Sequence, residues 1–151
     1  MQQQLSGTLK RIERSALVTY SDRHMFDLVN DIEAYPNFMN GCVGAQVLER
    51  TDEEVIARLD LSRMGFRHSF TTRNRLEAPA LMAMELVEGP FVNLLGEWTF
   101  KALSPSASKV GFAVEFELDN KLVSGAVGKV FEQVANEMVD GICNRARHLY
   151  R

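Results

Sequence analysis

The stretch KLVSGAVGKVFEQVANEMVDGICNRARHLY (121–150) decides the architecture of this chain. Leu122, Val123, Ala126, Val127, Val130, Phe131, Val134, Met138, Val139, Ile142, Cys143, Ala146, Leu149 and Tyr150 recur in it at spacings of three and four. That pattern is one wide apolar stripe on a helix. At 1.5 Å per residue, a helix over 121–150 is about 43 Å long, longer than a compact domain of this size needs to span. Arg145, Arg147, His148 and Arg151 gather at its end, where positive charge complements the helix dipole. A helix so long and so one-sided needs a large apolar surface to lie against.

The preceding residues supply strands for that surface. Residues 8–19 alternate, with Ile12, Ala16 and Val18 apolar against Glu13, Ser15 and Thr19. Ser21 then serves as an N-cap, and Met25, Phe26, Leu28, Val29 and Ile32 follow at helical spacing, so 22–32 is a short amphipathic helix. Residues 35–42 read as a bend or second short helix with two exposed-looking aromatics, Tyr35 and Phe38, and a turn at Asn40-Gly41. Strand patterns occupy 43–50, 54–62 and 64–76, then a run containing Met82, Met84 and Leu86, then 92–102. Residues 104–108 are a turn-rich loop, and Val110, Phe112, Val114, Phe116 and Leu118 form the clearest strand. Asp119 and Asn120 are both suitable caps for the long helix.

The expected class is α+β. A curved antiparallel sheet of about seven strands wraps a long C-terminal helix, with one or two short helices after the first strand. A sheet curled around a helix leaves space between them, the usual form of a small-molecule site.

At 151 residues, 46% hydrophobic and 25% charged, the chain fits one domain over 1–151, with 1–7 expected to be flexible. A net charge of −3 and an isoelectric point near 5.6 argue against general nucleic-acid binding and against a DNA partner. No apolar run approaches 18 residues, and the polar N-terminus lacks the plan of a signal peptide, so the expected location is the cytoplasm. Cys42 and Cys143 read as reduced and buried.

No catalytic constellation is evident. His24, His68 and His148 sit in separate elements without metal-ligand spacing, and neither cysteine has a second ligand close in sequence, so no metal site is expected. His68 shares the strand parity of Met64, Phe66 and Phe70, which leaves it at a cavity face, at a rim or satisfied in the core. An enzyme of the cyclase or hydrolase type would need such a group inside a pocket.

The apolar inventory points to a binding cavity. Its candidate lining comprises Tyr35, Phe38, Met64 and Phe66, then Met82, Met84, Phe91 and Trp98, and finally Phe112, Val127 and Phe131. Flexible methionine side chains suit an irregular apolar ligand. The same residues also serve to fill a solid core, and the sequence leaves both uses open. Arg67, Arg73 and Arg75 share an outward parity on one hairpin. They are candidates for contact with an RNA backbone, such as that of a ribosome, or for an ordinary solvated sheet face.

Several motifs carry a family resemblance. They are SALVTYS (15–21), LVNDIEAYPNF (28–38), GC (41–42), FTTRN (70–74), LVEGPF (86–91), GEWTF (96–100) and NKL (120–122), spread over nearly the whole chain. In this order they resemble the START-like helix-grip family, and within it the branch of RatA-type ribosome association toxins and coenzyme Q-binding START proteins. The resemblance implies a non-enzymatic protein that binds a ubiquinone-like polyprenyl lipid in its cavity and supports respiration. The alternative it implies is a toxin that binds the large ribosomal subunit, blocks subunit association and inhibits translation initiation. It implies no required cofactor beyond a bound ubiquinone or other lipid, and it allows peripheral membrane contact. Where the quinone-binding relatives carry Pro-Trp or Pro-Gly before the cysteine, this chain has Asn40-Gly41, a departure at the mouth of the expected pocket.

Overall fold

Ser108, Val110, Phe112, Val114, Phe116 and Leu118 are buried on alternate positions of strand β7 (Ala107–Leu118). Such alternation arises where one face of a strand meets a core and the other meets solvent. The computed structural model describes residues 9–63, 65–118 and 126–150. In chain order the elements are β1 (Leu9–Val18), α1 (Asp22–Asn30), a 3-10 helix (Ile32–Asn37), β2 (Cys42–Arg50), β3 (Glu54–Arg63), β4 (Phe66–Glu77), β5 (Leu81–Glu88), β6 (Phe91–Ser104), β7 and α2 (Ala126–Leu149). The strands form one antiparallel sheet in the order β1-β7-β6-β5-β4-β3-β2. From β2 to β7 each strand pairs with the next through a short turn, and β1 closes on β7. Irregular register in β2, β5 and β6 bends those strands, as bulges do, and curls the sheet around α2.

The stripe on α2 is buried at Val130, Phe131, Val134, Ala135, Val139, Ile142, Cys143 and Ala146. At 24 residues α2 is about 36 Å long. The expected start at Lys121 and the Asp119-Asn120 cap lie outside the described residues. The far end of α2 is tied to α1: the Tyr150 ring stacks on His24 with centroids 4.3 Å apart. Among the described residues no helix is long and apolar enough to cross a membrane.

α1 begins as the sequence predicts, with the Ser21 hydroxyl accepting a hydrogen bond from the His24 amide at 3.1 Å. It ends sooner than expected. Asp31 leaves helical geometry, and a 3-10 turn replaces the last part of the predicted helix. Pro36 lies inside that turn, where it prevents an α-helix from continuing past Ile32.

Candidate functional site

A cavity lies between the concave face of the sheet and α2. Its room for the centres of water-sized molecules is about 60 Å³. The sheet wall is built from inward positions: Leu59 and Leu61 of β3, Thr72 and Asn74 of β4, Met82 and Met84 of β5, Trp98 of β6 and Phe112 of β7. Phe131, Val134, Ala135 and Met138 of α2 form the opposite wall. Ile32 and Tyr35 of the 3-10 helix close one end, with Met39 and Cys42 beside them.

Two glycines shape this enclosure. Gly41 has φ +92° at the turn into β2, and a Cβ there would meet Val134 Cγ2 at 3.0 Å. Gly96 faces Met84 across the β5–β6 pair, and a Cβ there would lie 2.9 Å from Met84 Cε. The missing side chain lets the thioether lie across β6. Four methionines, Met39, Met82, Met84 and Met138, therefore line the cavity. Unbranched thioethers can swing aside, so the small free volume can enlarge around an entering molecule.

The lining carries no charged side chain among the described residues. The Tyr35 hydroxyl donates to the Val29 carbonyl at 2.5 Å, and burial, with smaller contributions from Cys42 and Asp31, holds its pKa well above the usual tyrosine range. Burial, reinforced by the charge of Asp60, pushes the Cys42 thiol up to about 11. Both groups are therefore neutral at physiological pH. The other polar feature is a pair on β4, where the Thr72 hydroxyl donates to Asn74 Oδ1 at 2.7 Å and both residues are buried.

Of the lining predicted from sequence, the fold brings together Tyr35, Met82, Met84, Trp98, Phe112 and Phe131. Tyr35 is not exposed but only 4% accessible, because the 3-10 turn aims its ring inward to the α1 carbonyl. Phe38 departs from expectation. It borders a separate surface groove with Asn40 and Glu137, and the Arg145 guanidinium sits 5.3 Å from its ring centroid. Phe91 lines a smaller neighbouring cavity with His68, Phe70 and Val130. Met64 and the side chains of Phe66 and Val127 lie outside the described residues. Sequence reasoning left Asn74 and Met138 out of the lining. A polar residue at an inward position of β4 was the available signal for Asn74.

Arg67, Arg73 and Arg75 all lie exposed on the outer face of β4. That face is charge-balanced: Arg73 pairs with Glu54 and Glu85 at 3.5 and 3.7 Å, and Arg75 with Glu77 at 3.6 Å. Hydrogen bonds from Ser69 and Arg58, with the nearby charges of Arg58 and Arg67, hold the Asp60 carboxyl below its usual range. Cys42 and Cys143 are free and buried. Among the described residues no cluster of His, Cys, Asp or Glu is placed to hold a metal ion.

Comparison with known proteins agrees with this architecture. Residues 18–143 match the family model described as polyketide cyclase / dehydrase and lipid transport. The chain is 42% identical over 142 residues to the ribosome association toxin RatA of Escherichia coli, covering 94% of this chain and 90% of that one. It is 28% identical over 138 residues to the mitochondrial coenzyme Q-binding protein of Drosophila melanogaster, covering 89% of this chain and 57% of that one. In fold it is similar to the Zhui aromatase/cyclase of a Streptomyces species, with TM-score 0.81, 17% identity and coverage of 95% and 96% of the two chains. A seven-stranded sheet gripping a C-terminal helix, the family match and the RatA identity lead to one conclusion: the chain belongs to the START-like polyketide cyclase / dehydrase and lipid transport family, in its RatA branch.

Proposed function

We propose that the chain is a non-enzymatic binder of an apolar, ring-bearing lipid of the quinone kind, held between sheet and α2. The observation that carries this reading is the uncharged cavity with four displaceable methionines in its walls. The name of the Drosophila relative supports a quinone as ligand. The neutral state of Tyr35 and Cys42 supports binding over acid–base chemistry. Organic extraction of purified protein followed by mass spectrometry tests the reading. A quinone or similar lipid in the extract is expected. An empty extract, together with no binding of added quinone, refutes it.

A second reading is favoured by the 42% identity to proteins named ribosome association toxin. On it, the chain binds the large ribosomal subunit in the cytoplasm and hinders joining of the subunits. The outer face of β4 is one surface to probe, although Arg73 and Arg75 already have acidic partners. Gradient sedimentation of ribosomes with added protein is the test. Accumulation of free subunits supports the reading, and unchanged complete ribosomes refute it. Reversing the charges of Arg67, Arg73 and Arg75 tells whether that face carries the contact.

A further inference from the structure

The inward side chains of β4 include two polar residues among apolar ones: Phe70, Thr72, Asn74 and Leu76 follow one another on that face. Asn74 is 3% exposed and lines the cavity. Its register partners are Val55 on β3 and Met84 on β5, so its immediate surroundings across the sheet are apolar. A carboxamide has an oxygen that accepts and a nitrogen that donates twice. The Thr72 hydroxyl donates to the oxygen, which fixes the amide plane and turns the nitrogen away from Thr72. With its oxygen taken by Thr72, the nitrogen is the end of the amide left to meet a molecule in the cavity that Asn74 lines. A hydrogen bond formed there in apolar surroundings favours a ligand that carries an acceptor.

We propose that Asn74, oriented by Thr72, anchors a neutral hydrogen-bond acceptor, a ring or ester carbonyl, of the apolar molecule in the cavity. This rests on the apolar-ligand reading above and adds a selection rule to it. A carboxylate would also accept from the amide. It would do so without a cation among the described lining residues, and burying an unpaired charge is strongly unfavourable. Carbonyl-bearing lipids are therefore selected over free fatty acids, and over hydrocarbons of equal length that leave the amide unpaired.

The test uses the full chain and its single tryptophan, Trp98, whose fluorescence reports from the cavity wall. The probes are a decyl-substituted benzoquinone, which quenches Trp98 directly, and decylbenzene and decanoate, read by displacement and calorimetry. In Asn74→Leu the quinone affinity falls about tenfold, the loss of one hydrogen bond, while decylbenzene affinity holds or rises. Thr72→Val weakens quinone binding less, because the donor remains but its orientation is released. Decanoate binds more weakly than the quinone. If a folded Asn74→Leu protein keeps the wild-type ratio of quinone to decylbenzene affinities, the anchor is wrong while the cavity reading stands. If neither probe binds the wild type, both fall. Should Asn74→Leu not fold, the infrared carbonyl band of the quinone bound to wild type decides. A shift to lower wavenumber than in hexane supports the hydrogen bond, and an unshifted band overturns it.

Discussion

Replacing Phe131 by Ala tests whether the wall between α2 and the sheet is an ordered aromatic cluster. The Phe131 ring packs edge-on against three others, with centroids 4.6 Å from Phe116, 4.8 Å from Phe91 and 5.7 Å from Phe70. It is 8% exposed. A buried Phe→Ala change costs about 3–5 kcal/mol, and each favourable ring pair adds roughly 0.5–1.5 kcal/mol beyond area. The expected loss is therefore at the upper end, about 4–5 kcal/mol. Unfolding entropy near 2.1 cal/mol/K per residue gives roughly 0.3 kcal/mol/K for 151 residues, so Tm should fall by about 13–16 °C. Circular-dichroism melts and urea titrations measure it, with the exposed Leu95→Ala as a control expected within about 0.5 kcal/mol of wild type. The space left is apolar, and such space stays dry and accepts benzene-like guests. Benzene should thus raise Tm of the variant by more than it raises that of the parent. A fall of less than about 4 °C would refute the argument, because the three ring contacts could not then be formed as described.

Other outcomes follow from single contacts. Gly41→Ala forces a side chain into left-handed backbone at a cost of about 1–2 kcal/mol and presses on Val134. Val134→Ala in that background should relieve the pressing, so the double variant loses less stability than the sum of the singles in urea titration. Tyr35→Phe removes the donor to the Val29 carbonyl and should cost about 1–2 kcal/mol, measured the same way. Alkaline pH gives a signed test of the buried acids. The folded pKa of Tyr35 is raised above its ordinary 10.0, so its contribution is complete below pH 10 and is lost as pH rises beyond it. For Cys42 the loss runs between 9.0 and about 11, and Cys42→Ala should flatten that part of the stability–pH curve. At pH 7.5 iodoacetamide should label Cys42 far more slowly than a free exposed thiol, since little thiolate forms there. Rapid labelling of folded protein would contradict the burial.

Periodicity made the scaffold readable because each element answers to a single partner surface. β7 meets the core on one side, and its alternation is visible from Val110 to Leu118. α2 has one buried stripe, and spacings of three and four reveal it. Residues 31–41 resisted reading because their geometry depends on contacts distant in sequence. Tyr35 and Phe38 stand three apart and touch, with rings 5.8 Å apart, yet one enters the cavity and the other faces Arg145. Phe38 leaves the 3-10 geometry at φ −145° and ψ −13°, a local turn that composition does not announce. Asn74 was missed for a different reason. It is a polar side chain in an apolar position, and attention to hydrophobic periodicity passes over such residues.

The pairing of β1 with β7 has a consequence for synthesis. Strands β2 to β7 can zip in the order they leave the ribosome, each finding its neighbour across a turn. β1 emerges first, and its only sheet partner among the described residues is made some ninety residues later, between Ala107 and Leu118. The helix that covers the concave face follows later still. Until then Ile12 and the inner faces of β3 to β6 have no lid, and an apolar trough is open to solvent for much of translation. A lipid or chaperone able to occupy that trough would meet the nascent chain before α2 does. The order of manufacture thus leaves the sheet wall of the cavity uncovered before its helical wall exists.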